Sequence, residues 1–153
     1  MTVTVLALPP LRLAALRHTG AYLDIGQAFA ALDAIVRRSG VGGPNTMLAA
    51  VYYDDPAKTP AAALRSDAGV VLNDTDAVPE GLTEVHVPGG RFVCGVHVGP
   101  YAGLPHAWND IKMAFAVPGG LRRAEGPSYE LYRNTPATAA PEHLITEICV
   151  PVL

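Results

Sequence analysis

Cysteine is scarce in this chain, and so are aromatic side chains and charge. Two cysteines in 153 residues, Cys94 and Cys149, exclude a disulfide scaffold and the paired thiols of a structural zinc site. Each lies in an apolar, strand-like run, where a buried reduced thiol is the ordinary state, and neither is assigned chemistry. Charged residues are 16% of the chain, with 11 Lys and Arg against 14 Asp and Glu and a net charge of −3. No basic run interleaved with aromatics appears, so no direct nucleic-acid partner is expected. The longest stretch without Lys, Arg, Asp or Glu runs from Phe92 to Asn109. It is broken by Gly95, Gly99, Pro100, Gly103 and Pro105, and reads as no membrane span. No basic residue precedes Arg12, and the apolar run Val3 to Leu8 meets Pro9-Pro10 where a cleavage site would need small residues. An untargeted, cytoplasmic protein is expected.

Chemical signatures are sparse too. His18, His86, His97, His106 and His143 contain no pair at metal-ligand spacing, so neither a metal nor a cofactor is expected. Gly40 to Thr46 lacks the lysine of a phosphate loop and follows a helix, so it reads as a helix stop and linker. No Gly-x-Ser-x-Gly elbow is present, and Asp54-Asp55-Pro56 reads as turn chemistry at a strand end.

What is present is apolar and punctuated: 50% hydrophobic residues with 15 Gly and 14 Pro, enough for one core cut into short elements. The punctuation repeats. His18-Thr19-Gly20-Ala21-Tyr22, followed by Ile25, Ala28 and Phe29, matches His97-Val98-Gly99-Pro100-Tyr101, followed by Leu104, Ala107 and Trp108, at a constant offset of 79. Pro9 and Arg12 fall opposite Pro88 and Arg91 at that offset, and Tyr52, Pro56 and Leu64 fall opposite Tyr132, Pro136 and Leu144 at 80. The chain therefore reads as two copies of one unit, about 3–73 and 82–153, with a linker at about 74–81.

Periodicity gives the unit its elements. Thr2 to Leu8 and Leu11 to His18 predict one strand, or two broken at Pro9-Pro10; Ile25, Phe29, Leu32 and Val36 recur at helical spacing, with Arg37, Arg38 and Gly40 as the helix end. Thr46 to Tyr53 and Leu64 to Asn73 predict two more strands. The second copy repeats the order, with strands near Thr83 to Val87 and Arg91 to His97, a helix carrying Leu104, Trp108, Ile111 and Phe115, and strands at Ser128 to Arg133 and Leu144 to Val152. Each half is small, so the expected fold is α+β: two strand-helix-strand-strand units about a pseudo-twofold, forming one compact domain with a groove between them.

The two His-x-Gly-x-Tyr turns, Pro88-Gly89-Gly90-Arg91, the strand Tyr129 to Tyr132 followed by Pro136, and the ending Ile148 to Val152 resemble the gyrase-inhibitor-like (GyrI-like) small-molecule-binding family. That family includes the effector-binding domains of multidrug-sensing regulators such as BmrR and Rob, and the resemblance covers essentially the whole chain. It implies a groove for apolar, often cationic or aromatic, molecules. No residues remain here for a DNA-binding segment, so a stand-alone binding module is expected, as a monomer. Other members are similar proteins that hydrolyse strained cyclopropane-containing alkylating natural products, or that bind DNA gyrase, and these are the alternative functions. The family's acidic pocket residue carries over onto Glu130.

Glu130 also stands out by itself. Strand alternation puts Ser128, Glu130 and Tyr132 on one face, and the repeat counterpart of Glu130 is Ala50, so the symmetry is broken at the position that bears a charge. A carboxylate among aromatics is desolvated and wants a cation, a donor or a proton to deliver; the competing role is a solvent-facing side chain, or one paired with Arg91 or Arg133. Tyr52 and Tyr132 share that face. Tyr22, Tyr101, Phe29 and Trp108 occupy repeat-related positions and complete the candidate binding set. Core packing competes for Phe29 and Trp108, and pinning of the turns for Tyr22 and Tyr101. If the protein is an enzyme, Glu130 is the catalytic group.

Overall fold

The structure, a computed structural model, describes residues 1–41 and 46–153; the expected linker after Gly40 lies partly outside the described residues. Eight strands and two helices follow in order: β1 (Val3–Leu8), β2 (Leu11–Thr19), α1 (Gly26–Ser39), β3 (Leu48–Tyr52), β4 (Arg65–Val71), β5 (Thr83–Val87), β6 (Gly90–Val98), α2 (Leu104–Ala116), β7 (Ser128–Tyr132) and β8 (Ile145–Pro151). The class is α+β with antiparallel pairing, and each repeat is built from the same elements. Short 3-10 turns recur at matching places too, Tyr22–Asp24 with Tyr101–Gly103 and Ala61–Ala63 with Pro141–His143. No helix among the described residues is long and apolar enough to cross a membrane.

The chain divides into two compact units, Pro10–Pro88 and Met1–Pro9 with Gly89–Leu153. In the 10–88 unit the strand order is β3-β4-β2-β5; in the other it is β1-β6-β8-β7. The opening strand of each repeat thus pairs in the other half of the chain: β1 lies on β6, with Val5 opposite Val93, and β5 lies on β2, with Val85 opposite Leu13. The links explain why. Pro9-Pro10 joins β1 to β2, and a two-residue hairpin of the favoured type needs positive φ at both positions, which proline cannot adopt. The β5–β6 link contains Pro88 and meets the same obstacle at one of its positions, so each opening strand takes a distant partner.

The helices form where the sequence stripes predict them. In α1, Leu32 is fully buried, Arg37 and Arg38 occupy the last turn, and Gly40 closes the helix at φ 71 with its N–H on the Val36 carbonyl. Ala14, Val70 and Leu72 form a core cluster in that unit, with Val36 packed against it. In the other unit α2 buries Ala107 and Ile111 against Val93 of β6 and Ile148 and Val150 of β8, with Leu104, Trp108 and Phe115 along the margin. Burying a Leu or Ile side chain is worth about 1.5–3 kcal/mol, so this stripe is what holds α2, and Trp108 with it, against the sheet.

Candidate functional site

Glu130 sits mid-strand in β7, opposite Ile148 of β8, and is 4% exposed. The alternation expected from sequence places it on the α2-covered side, with Tyr132 two residues on and opposite Thr146. Helix α2 brings Trp108 to the carboxylate: its indole Nε1 donates to Glu130 Oε1 at 3.1 Å. The Tyr132 hydroxyl donates to Glu130 Oε2 at 3.0 Å. Each carboxylate oxygen thus accepts from a different aromatic side chain, which fixes the orientation of the group.

Tyr101 lies beside this group. Its ring meets that of Tyr132 edge to face, with centroids 5.6 Å apart and planes at 67°. Its phenol is pushed above the ordinary tyrosine range, first by burial and then by the negative charge of Glu130. The turn holding Tyr101 is set by the motif seen in the sequence: Gly99 takes φ 139, a conformation open to glycine, and His97 Nε2 lies 2.9 Å from the Pro100 carbonyl. The His97 ring also fills the space beside Gly103, where a Cβ would lie 2.8 Å from it. Both histidines of the repeat are therefore turn-positioning groups, His18 making the same contact with Ala21 at 3.0 Å.

The structure thus brings Glu130, Trp108, Tyr132 and Tyr101 together in one unit. Tyr22, Tyr52 and Phe29 belong to the other. There Tyr22 lies against Tyr52 at 4.8 Å, the repeat equivalent of the Tyr101–Tyr132 contact, and Ala50 is fully buried where Glu130 would be. The Tyr22 hydroxyl donates to the Asp54 carbonyl at 2.6 Å and accepts from the Asp54 N–H at 2.9 Å, which is the turn-pinning role. Phe29 is half-buried on α1. Arg133, a candidate partner for Glu130, forms an ion pair with Glu147 at 2.9 Å, and Arg91 donates to the Leu153 carbonyl at 2.6 Å.

Two groupings carried no signal in the sequence reading. Asp67 of β4 is 2% exposed, bound by Arg17 Nε at 2.8 Å and by the Tyr53 hydroxyl at 2.5 Å. Burial first, and the bond to Asp67 second, raise the Tyr53 phenol far above its ordinary range. The available signal was an aspartate in the interior of a predicted strand, ahead of the run Ala68 to Leu72. The second grouping is a pair of directly opposed cysteines on β6 and β8. Among the described residues no cluster of three or more His, Cys, Asp or Glu is placed to hold a metal.

The model of the GyrI-like small molecule binding domain matches residues 1–153. The chain belongs to the GyrI-like family. A relative, DNA gyrase inhibitor 2 of Dickeya dadantii strain 3937, is 31% identical over 136 residues, 86% of this chain and 85% of the relative. Among solved structures, the C-terminal domain of the regulator EcmrR superposes with a TM-score of 0.78 at 16% identity, covering 99% of this chain and 97% of that one. In a structure of EcmrR with DNA, this GyrI-like chain spans 57% of the regulator chain. The protein SAV2435 bound to tetraphenylphosphonium gives a TM-score of 0.68 at 15% identity, over 100% of this chain and 94% of that one. At such identities the structural likenesses establish the GyrI-like fold, and the chemistry of the site rests on this chain's own residues.

Proposed function

We propose that this GyrI-like domain captures hydrophobic small molecules that carry a positive charge or a flat aromatic system, with Glu130 as the anionic contact. The observation that carries the proposal is a buried carboxylate held by two aromatic donors, Trp108 and Tyr132. Burying a carboxylate is costly, the indole N–H and the phenol offset part of that cost, and a desolvated cation brought against it would offset more. Trp108, Tyr132 and Tyr101 then supply faces and edges for stacking and cation–π attraction, roughly 0.5–2 kcal/mol per ring. Tetraphenylphosphonium, the lipophilic cation bound by the structural neighbour SAV2435, is the matching probe.

Trp108 is the chain's single tryptophan and lies in the site, so its fluorescence reads binding directly. Tetraphenylphosphonium and the neutral triphenylphosphine oxide are titrated into wild type and Glu130→Gln. The charge-assisted contact predicts a loss of about 1.5–3 kcal/mol for the cation, roughly 10- to 150-fold in Kd, with the neutral compound nearly unchanged. Equal losses for both compounds remove electrostatics from the explanation.

A hydrolytic role is the second reading, favoured by the 3.0 Å contact between a phenol and a carboxylate, a pair able to exchange a proton with a bound water or a leaving oxygen. Mass spectrometry of a cyclopropane-containing alkylating compound tests it: catalytic gain of one water by wild type, lost in Glu130→Gln, assigns the site to hydrolysis. A gyrase contact, the activity named in the Dickeya relative, is read by a supercoiling assay with the purified chain.

A further inference from the structure

On the side of β6 and β8 opposite to Glu130, the two cysteines of the chain face each other. Cys94 is the register partner of Cys149, and Cys149 is in turn the partner of Tyr129 on β7. The hydrogen-bond phase of this ladder is set at both ends. Gly99 N–H donates to the Leu144 carbonyl at 2.8 Å and Val152 N–H to the Arg91 carbonyl at 3.0 Å, so the 99/144 and 91/152 pairs are hydrogen-bonded ones. Counting along the register from either end makes Cys94/Cys149 a non-hydrogen-bonded pair. In such pairs the Cα atoms lie about 4.5 Å apart with the side chains at their closest, within the roughly 4.4–6.8 Å that a disulfide spans.

From this opposition we propose that Cys94 and Cys149 are a modification site, a dithiol that a peroxide converts to an intramolecular cross-strand disulfide and that a thiol reductant restores. The two sulfurs are unequal. Cys94 is half-buried, and accepting a hydrogen bond from the Cys149 thiol holds it below the ordinary cysteine range. Cys149 is 2% exposed and held well above that range by its bond to Cys94 and by burial. Tyr129 and Glu147 also face the pair. The Tyr129 hydroxyl hydrogen-bonds Cys149, and the Glu147 carboxylate, paired with Arg133, opposes ionisation of both thiols.

The division of labour follows. Cys94 as thiolate attacks one peroxide oxygen, the O–O bond breaks, and the departing hydroxide takes a proton to leave as water, giving a sulfenic acid at Cys94. The Cys149 sulfur then attacks the Cys94 sulfur; the S–OH bond breaks, and hydroxide leaves with the Cys149 proton as a second water. Two thiols have lost two electrons and two protons, and hydrogen peroxide has become two waters. In open ladders the opposed Cβ atoms sit about 4.5–5.5 Å apart, whereas a disulfide draws them to about 3.8 Å. The bond must pull the strands together, which marks it as one that mild reductants open.

The test needs no ligand and stands apart from the binding reading. The full chain is treated with hydrogen peroxide under native conditions and its intact mass measured. The expected result is loss of two hydrogens with no oxygen added at either cysteine, a linked tryptic pair 92–112 and 134–153, unchanged far-ultraviolet circular dichroism, and return of the two hydrogens with dithiothreitol. Cys149→Ser should stop at an oxygen adduct on Cys94, and Cys94→Ser should leave Cys149 a free thiol. The proposal is overturned if wild type accumulates oxygen on Cys94 while Cys149 still alkylates. It is equally overturned if the link joins two chains, or forms only after denaturant is added.

Discussion

Replacing Tyr132 with Phe removes one oxygen and leaves the ring against Tyr101, so it isolates the bond to Glu130. That bond is 3.0 Å long and ends on a carboxylate that is 4% exposed. Hydrogen bonds to charged groups contribute about 1.5–3 kcal/mol, and removing a donor from a buried acceptor adds part of its desolvation cost. Tyr132 is half-buried, which lets water replace some of the lost bond, so the expected loss is about 1–2 kcal/mol. For a chain of this length that is roughly 2–8 °C in Tm. Denaturant titration followed by far-ultraviolet circular dichroism measures it, and a cycle with Glu130→Gln assigns it. If the charge-assisted bond is the cause, the double variant loses at least about 1 kcal/mol less than the sum of the singles. Additivity within about 0.3–0.5 kcal/mol would refute the coupling on which the site rests.

Two more outcomes follow from buried groups. Burial and then the Glu130 charge raise the Tyr101 phenol, and burial and then Asp67 raise Tyr53, so both stay protonated in the folded chain where unfolded tyrosine, at 10.0, has begun to ionise. Stability is therefore fully present below that value and falls as pH rises through it toward the folded values. Tyrosinate absorbance should show Tyr101 titrating earlier in Glu130→Gln yet still above 10.0, because burial is the larger cause; an unmoved titration contradicts the contact. Asp67→Asn weakens the bonds from Arg17 and Tyr53 at a 2% exposed position and should cost about 2–3 kcal/mol in urea unfolding, discounted from a fully buried pair because Arg17 is half-exposed. A change under about 0.5 kcal/mol would show that the cluster contributes nothing to holding β4 against β2.

Local pattern made much of the protein legible before any coordinates. The helical stripes of Leu32 and Ile111, the glycine stop at Gly40 and the His-x-Gly turns are consequences of periods of two and 3.6 and of backbone freedom, all short-range. Duplication then exposed Glu130 against Ala50, and strand alternation placed it on one face with Tyr132. Trp108 could be named as a candidate, but its indole reaches Glu130 only because α2 packs on β6 and β8, a contact between residues 22 apart in sequence.

Tertiary structure decided what depends on remote pairing. Proline in the links bars the adjacent hairpin, but nothing local names β6 as the partner of β1 or β2 as that of β5, because a strand's pattern specifies which face it buries and leaves its partner open. The same ladder set Cys94 opposite Cys149, two thiols that read separately as ordinary buried cysteines. It also sank Asp67 into β4 with Arg17 as its cross-strand partner, giving a buried carboxylate paired with a half-exposed guanidinium. Sequence determined the elements, their repetition and the residue types available for binding; register, a long-range property of which backbone groups find each other, decided which of those residues meet.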